Sequence, residues 1–296
     1  MMESGGDSDS IQVKTAAILL IGNELLSAKI KDENAFYLCQ RLRELGVLVQ
    51  RVLLIPDHQE TIAQEVRELS EKFDFVFTSG GVGPTHDDIT LESIAYAFGE
   101  ELLLDEQLHL LLKDYFKEKL NTAHLRMAHI PANSELLWTK DSSWPVYSYR
   151  NIYILPGVPQ VFRAKFESIA QRFRSGSFYL RSLYLNTREG GIAEILQTVE
   201  EEFNVQIGSY PNVQGVKGFK VRVTVEARNA EPVNLAVDRL IILLEERCQL
   251  GKLKISASKK SRYQRTKKNR KKHRRKRTSS ILSSSLSLIA RVDAPV

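Results

Sequence analysis

The loop from Thr78 to Thr90, TSGGVGPTHDDIT, combines residue types that can bind phosphate groups. Gly80, Gly81 and Gly83 directly follow a short apolar run, and glycine allows positive φ angles and close approach of the backbone to a ligand. Unpaired N–H groups in such a loop attract anions, and the start of the following helix adds a favourable field for phosphate. The loop therefore predicts a phosphate site. The alternative is a tight turn between a strand and a helix.

Two adjacent acids, Asp87 and Asp88, follow Thr85 in the same loop. Carboxylates beside a phosphate site repel the ligand unless a divalent cation neutralises them, which favours Mg²⁺, Mn²⁺ or Co²⁺ as a cofactor. We expect Thr85 and Asp88 to contact the phosphate and the metal. Alternatively, Thr85, Asp87 or Asp88 caps the helix that follows the loop.

Polar residues also follow two other apolar runs. Glu24 comes after Gly22 and Asn23, at the end of TAAILLIG. There it can bind a metal or a ribose hydroxyl, or face solvent at the start of a helix. Asp57 follows LLIP, and the pair Pro56-Asp57 alone indicates a β-turn acid.

Strand and helix patterns alternate over the first part of the chain. Buried-strand patterns cover residues 15–22, 47–55, 74–81 and 151–159. Amphipathic helix patterns cover residues 34–45, 60–72, 89–98, 106–120 and about 160–172. This alternation predicts an α/β fold of three layers, α/β/α, with a mostly parallel sheet. Ligands of such sheets bind beyond the carboxyl ends of the strands, which is where the polar and glycine residues fall.

The sequence predicts four regions. Residues 1–14 are acidic and serine-rich, without the pattern of a secretory signal, and are expected to be disordered. Residues 15–174 form the α/β domain, and residues 178–250 form a small α+β domain with a β-α-β-β-α pattern. Residues 251–296 form a basic, serine-rich tail that we expect to be disordered.

The positive charge of the chain is concentrated in that tail. The chain has a net charge of +6, but residues 259–277 contain 13 Lys or Arg and no acid, and the part before them is net negative. The tail could support nuclear entry or weak, salt-sensitive nucleic-acid binding, or it is a non-functional extension. No apolar run is long enough to predict a membrane span. We expect a cytoplasmic protein.

Several motifs resemble one known family. GGVGPTHDDIT is similar to the signature loop of the molybdopterin-binding fold (MoaB/Mog), and IGNELLSAKIKDENAFYLCQRL and LLIPDHQETI resemble its CinA-like branch. RMAHIPANSELLW, NIYILPGVP and GSYP (208–211) are more similar still to the N-terminal region of animal FAD synthases. The resemblance covers about Thr15 to Cys248, and in the CinA-like branch it implies that the second domain is KH-like.

The resemblance implies roles for several residues. Asp57 and Asp88 match the two aspartates assigned to metal-dependent catalysis, with Glu24 as a further metal or water ligand. Asn34 matches a D-x-N position that can bind ligand, although an N-cap is equally compatible with its place. Pro156 and Gly157, in PGVP, can form a ligand wall or a sharp turn. Together with Gly22 and Asn23, these residues are predicted to bind the nucleotide.

The implied activity is a metal-dependent nucleotide pyrophosphatase that splits FAD to FMN and AMP, or ADP-ribose to AMP and ribose phosphate. One alternative is a non-catalytic module that binds a flavin or adenine nucleotide (FAD, FMN, ATP or AMP) or regulates a synthase domain supplied elsewhere. Another is a molybdopterin adenylyltransferase. The family usually has Glu where this chain has Gln160, which favours the binding module if that acid is a metal ligand.

Full-length animal FAD synthases also carry a C-terminal domain, similar to PAPS reductases, that transfers AMP from ATP to FMN. Nothing after Gly251 resembles that domain. If the chain is complete, we expect it to lack FAD synthesis of its own. Relatives with this fold commonly form dimers or trimers, so a homo-oligomer is also expected.

Overall fold

A computed structural model describes residues 13–139, 144–213, 218–249 and 289–291. The chain divides into two compact units, Met1–Ser177 and Phe178–Val296. The predicted disordered segments lie largely outside the described residues. Within the described part of the chain, none of the helices is both long and apolar enough to cross a membrane.

The first unit contains eight strands and seven α-helices among the described residues. In chain order they are β1 (Thr15–Ile21), α1 (Asn23–Leu26), α2 (Asn34–Glu44), β2 (Leu48–Ile55), α3 (Gln59–Lys72), β3 (Phe75–Ser79), α4 (Thr90–Phe98), β4 (Leu102–Leu104), α5 (Glu106–Phe116), α6 (Thr122–Arg126), β5 (His129–Pro131), β6 (Glu135–Leu137), β7 (Val146–Tyr149), β8 (Ile152–Leu155) and α7 (Pro159–Ile169). Short 3₁₀ turns follow α5 and α7.

The main sheet of this unit has the strand order β2-β1-β3-β8-β7-β6. The four predicted strands, β2, β1, β3 and β8, pair in parallel, with Ala17 opposite Val76 and Val76 opposite Ile152. The short strands β7 and β6 extend the sheet antiparallel to β8. The predicted α/β fold with a mostly parallel sheet is confirmed, and the antiparallel strands are an addition to it.

Alternate residues of β1 serve two hydrophobic cores. Ala17, Leu19 and Ile21 join one core with α3, α4 and α5, whereas Ala16, Ile18 and Leu20 join the other with α2 and α7. Both faces of the sheet are therefore covered, which explains why its central strands are mostly apolar instead of alternating between apolar and polar residues. The carboxyl ends of β1, β2, β3 and β8 lie at one edge of the sheet because these strands are parallel.

The second unit is an antiparallel sheet packed against two helices. Its elements are β9 (Tyr179–Leu185), α8 (Ala193–Phe203), β10 (Gln206–Pro211), β11 (Val221–Ala227), α9 (Ala230–Gln249) and β12 (Ile289–Arg291). The strand order is β10-β11-β9-β12. Apolar residues of β9 and β11 form one core with α8 and α9.

Residues 289–291 differ from the expectation for the tail. They lie in the region predicted to be disordered, yet they pair antiparallel with β9, with Ala290 opposite Leu183. Pairing satisfies backbone groups that β9 would otherwise expose as an edge strand. The basic run 259–277 lies outside the described residues.

Candidate functional site

The loop after β3 depends on two glycines with positive φ. Gly80 has φ +106°, and a Cβ there would lie 2.3 Å from the Ile21 carbonyl oxygen. Gly81 has φ +67°, and a Cβ there would lie 2.3 Å from Thr90 Oγ1. Thr90 Oγ1 in turn donates to the Gly80 carbonyl at 2.9 Å. The loop is therefore packed against the end of β1 and the start of α4, and only glycine fits at both positions.

Three consecutive backbone N–H groups in this loop are left without a protein acceptor. Among the described residues, the N–H groups of Gly81, Val82 and Gly83 donate to no carbonyl or side chain, and all three residues line a cavity. Free N–H groups adjoining one concave surface form an anion-binding nest. The phosphate-binding role that the glycine spacing predicts stays a prediction.

Asp88 folds back over the loop instead of capping α4. Its carboxylate accepts hydrogen bonds from the Thr85 N–H at 2.8 Å and from Thr85 Oγ1 at 2.5 Å. The helix begins at Thr90 without a side-chain cap, so the alternative of a capping Thr85, Asp87 or Asp88 is wrong. A Cβ at Gly83 would lie 2.7 Å from the Asp88 carboxylate, which shows that the acid lies against the nest.

Arg126, at the end of α6, was not predicted from the sequence. Its guanidinium donates to the carbonyl oxygens of Thr85 (3.0 Å) and Asp88 (3.4 Å) and pairs with Glu92 at 3.1 Å. It joins the loop to α4 and α6, and the loop lies about forty residues away from Arg126 in the sequence. A local sequence pattern cannot predict a contact over that separation. Arg126 therefore fixes the conformation in which Asp88 lies over the nest.

The Arg126→Met variant is expected to loosen the loop without unfolding the domain. Loss of these bonds to carbonyl oxygens should speed amide hydrogen exchange at Thr85 and Asp88 about tenfold, equivalent to about 1.4 kcal/mol. Exchange measured by mass spectrometry or NMR checks this result. Glu92→Gln is the matched control, because it weakens the ion pair and keeps both carbonyl bonds. Equal exchange rates in Arg126→Met and wild type would contradict the assignment.

Asn34 connects the end of β3 to the PGVP loop. Its amide nitrogen donates to Ser79 Oγ at 2.9 Å and to the Gly157 carbonyl at 2.8 Å. Asn34 is the first residue of α2 and its N–H donates to Asp32 at 3.0 Å, so the N-cap alternative for Asn34 is wrong. Asn34 is 4% exposed and lines the cavity, and its Oδ1 has no partner among the described residues. A buried acceptor of this kind can be satisfied by a ligand donor, a water or a cation.

The three predicted metal-binding acids occupy different positions. Glu24 lines the cavity and lies over Gly22, where a Cβ would be 2.5 Å from its carboxylate. Asp57 is not among the lining residues, and its carboxylate accepts from the Asn23 N–H at 2.8 Å. It therefore joins the ends of β1 and β2. Across the described residues, no three His, Cys, Asp or Glu side chains are grouped to hold a metal ion.

The cavity lies at the carboxyl ends of the parallel strands and has a volume of about 740 Å³. Eight of the predicted site residues line it: Glu24, Asn34, Gly80, Gly81, Gly83, Asp88, Pro156 and Gly157. Gly22, Asn23, Asp57 and Thr85 do not line it and instead support residues that do, through the contacts described above. The size is that of a site for a cofactor or drug-sized molecule.

The PGVP loop forms one wall of this cavity. A Cβ at Gly157 would lie 3.5 Å from the Gly80 Cα, so the two glycine loops are in contact. Pro159 starts α7, where its fixed φ suits the first turn. Gln160 is exposed and does not line the cavity, although both of its neighbours do. Because Gln160 does not line the cavity, its neutral side chain does not change which acids line the cavity.

Lys165, on α7, is a second residue that the sequence did not indicate. Its ammonium donates to the carbonyl oxygens of Trp144 and Pro145, both at 2.8 Å, and lines the cavity. Burial lowers the pKa of Lys165 from its ordinary 10.5 to about 8. It is the only basic side chain, apart from Lys31, among the described lining residues.

The depressed pKa of Lys165 is expected to make the stability of the first unit rise with pH. Between pH 8 and 10.5 the unfolded chain holds a proton on this lysine that the folded chain has released, so unfolding becomes less favourable as the pH increases. Allowing for partial solvent screening, the gain should be about 1 kcal/mol from pH 7.5 to 9.5. Urea titrations followed by tryptophan fluorescence report this unit, because Trp138 and Trp144 both lie in it. Lys165→Met should lack this part of the pH dependence. If the free energy of unfolding changes with pH equally in wild type and Lys165→Met, the expectation is refuted.

The fold and the site together define a protein of the molybdopterin-binding class. The chain belongs to the family described as "Probable molybdopterin binding domain", whose model matches residues 17–175. Residues 177–250 match the model described as "FAD synthase, middle domain". This is the combination expected from the resemblance to the N-terminal region of animal FAD synthases, which is confirmed.

Relatives and a solved structure agree with this membership. An Archaeoglobus fulgidus sequence named only "Protein" is 35% identical over 78% of this chain and 98% of its own length. The "Probable FAD synthase" of Caenorhabditis elegans is 32% identical over 79% of this chain, which spans only 50% of that relative. The crystal structure of the protein CinA, "with unknown function", from Thermoplasma acidophilum is 30% identical with a TM-score of 0.51, over 54% of this chain and 98% of that one.

Proposed function

We propose that the first unit is a metal-dependent nucleotide pyrophosphatase that cleaves FAD to FMN and AMP, or ADP-ribose to AMP and ribose phosphate. The observation that carries this proposal is the set of free N–H groups at Gly81, Val82 and Gly83, beside the Asp88 carboxylate in one cavity. The nest suits a pyrophosphate. An acid beside the nest can activate the water that attacks phosphorus, or hold the metal ion that does so. The matches to FAD synthase sequences support a flavin dinucleotide as the substrate.

The residues present are compatible with a divalent cation that arrives with its substrate. Mg²⁺ usually keeps several waters and is held by one or two carboxylates together with substrate phosphates, so it needs no cluster of three protein acids. Asp88, Glu24 and the unpartnered Asn34 Oδ1 are oxygen ligands that line the cavity. When bound there, the cation would neutralise phosphate charge and lower the pKa of a coordinated water.

The protein groups supply the remaining requirements of hydrolysis. The nest binds a phosphate oxygen, and it needs no reorganisation because Gly80, Gly81 and Arg126 fix the loop. Thr85 holds Asp88 through two hydrogen bonds to one carboxylate oxygen, Oδ2, and leaves Oδ1 for a metal or a water. Asp57 orients the Asn23 N–H and, through it, the segment that carries Glu24.

A non-catalytic nucleotide-binding module is the second candidate. The observation that favours it is the position of Asp57, which is outside the cavity lining and already bonded to the backbone of Asn23. In this case the site holds FAD or an adenine nucleotide without cleaving it. The two candidates make the same prediction for binding and opposite predictions for turnover.

The test is release of FMN and AMP from FAD by the full chain, with Mg²⁺, Mn²⁺ or Co²⁺ and with EDTA, followed by chromatography. ADP-ribose is assayed in parallel. Metal-dependent turnover would support the pyrophosphatase. Binding of either dinucleotide by calorimetry without turnover under any metal would reject it in favour of the binding module.

A further inference from the structure

The cavity has a second, chemically different end. The nest and the acids form its polar end, whereas Leu112, Phe116, Met127, Trp144 and Tyr147 line an apolar part that we name the ring end. Leu112 and Tyr147 are 0% and 4% exposed. An aromatic and aliphatic lining of this kind suits a flat, weakly polar ligand group rather than a phosphate.

The polar atoms of the ring end are used by its own residues. Trp144 Nε1 donates to the Tyr147 hydroxyl at 2.8 Å, and that hydroxyl donates to the Met127 carbonyl at 3.3 Å. These bonds connect three lining residues from two segments of the chain and fix the ring orientations. They also leave the indole and phenol without a free donor for a ligand, so the specificity of the ring end must come from another group.

Lys165 is that group. Two of its three N–H bonds go to the Trp144 and Pro145 carbonyls, and within the described residues the third has no acceptor and the ammonium has no carboxylate partner. A half-buried ammonium beside apolar walls favours a ligand that supplies an acceptor, because a charged lysine has three donors and no acceptor of its own.

We propose that the ring end binds the isoalloxazine ring of a flavin nucleotide and that Lys165 donates its third hydrogen bond to a carbonyl oxygen of that ring. This inference rests on the proposed function and names which dinucleotide the site prefers. Isoalloxazine has three fused rings and two carbonyl oxygens. Adenine has two fused rings and no carbonyl, and its acceptors are ring nitrogens. The larger flavin ring and its carbonyl oxygens suit the ring end and Lys165 better, so the site is expected to prefer FAD over ADP-ribose.

Two small probes separate the ends of the cavity. Riboflavin carries the ring without phosphate, and ADP-ribose carries the pyrophosphate without the flavin ring. In the full chain, Lys165→Met should weaken riboflavin binding about tenfold, measured by quenching of flavin fluorescence, and change ADP-ribose binding less than about twofold, measured by calorimetry. Lys165→Arg keeps the charge and should restore most of the riboflavin affinity.

Controls keep the inference distinct from the proposed function. Lys72→Met removes an exposed lysine that pairs with Glu68 and should leave both affinities unchanged. Circular dichroism establishes that each variant is folded. If Lys165→Met does not fold, the comparison of riboflavin and ADP-ribose binding is made with Lys165→Arg. Equal losses for riboflavin and ADP-ribose would make Lys165 a phosphate contact and overturn the inference. Riboflavin binding that is unaffected by Lys165→Met would also overturn it. Failure of wild type to bind ADP-ribose or FAD would instead reject the proposed function.

Discussion

The Asp88→Asn variant is expected to lose FAD hydrolysis by a factor on the order of 10² to 10³ while still binding the dinucleotide. The amide can keep one oxygen in the hydrogen bonds from the Thr85 N–H and hydroxyl, so the loop should hold its shape. It loses the negative charge that would hold a cation or activate water. Steady-state kinetics should therefore show a lower kcat with a much smaller change in KM.

Asp87→Asn is the matched control for this result. Asp87 is adjacent in the chain, its side chain is 59% exposed, and it does not line the cavity. It should keep kcat within about threefold of wild type, since exposed charges interact weakly with the site. Equal activity losses in the two variants would assign the effect to general charge near the loop. Full activity in Asp88→Asn would remove this residue from the chemistry.

The Gly80→Ala variant is expected to destabilise the first unit by about 2 to 5 kcal/mol. A methyl group would meet the Ile21 carbonyl oxygen at 2.3 Å, and the φ of +106° is strained for any residue with a side chain. The backbone strain costs about 1–2 kcal/mol and the steric overlap a further 1–3 kcal/mol. Urea unfolding followed by tryptophan fluorescence measures the sum.

Gly99 allows the two contributions to be separated. It ends α4 with φ +68°, and a Cβ there would meet nothing within 4 Å. Gly99→Ala should therefore cost only about 1 kcal/mol, from the backbone conformation alone. If the two variants are equally destabilised, the contact between the loop and the end of β1 does not contribute to the free energy of unfolding.

The sequence was sufficient to predict the elements with strong patterns. TAAILLI and FVFTS are mostly apolar, as is typical of strands covered on both faces, and they form the centre of the sheet. The predicted strand at 151–159 is observed at Ile152–Leu155. The strands β4 to β7 were not predicted, because runs of three or four residues are too short to show a period and form only when a neighbouring strand supplies hydrogen bonds.

The residues of the candidate site divide in the same way, into those that a local motif predicts and those whose role depends on tertiary contacts. Residues carried by local motifs, such as Gly80, Gly81 and Asp88, line the cavity as expected. Lys165 and Arg126 are ordinary basic residues in helical patterns, and their roles depend on carbonyl groups about 20 and 40 positions away. The unpartnered oxygen of Asn34 also results from packing, since both N–H bonds of its amide are used by Ser79 and Gly157. Such contacts cannot be read from spacing.

The strand order has a consequence for synthesis of the chain. The strand β3 pairs with β8, and Val76 lies opposite Ile152, so β3 lacks its second neighbour until 76 further residues have been made. At the usual rate of about 5–20 residues per second, this leaves an apolar strand edge open for about 4 to 15 s. An open edge of that kind is a template for pairing with other chains. Arrival of β8 closes it, and Asn151, which donates to the Ser70 and Phe73 carbonyls, secures the closure. Substitution of Asn151 should therefore reduce the yield of folded protein during expression more than it reduces the stability of protein that has already folded.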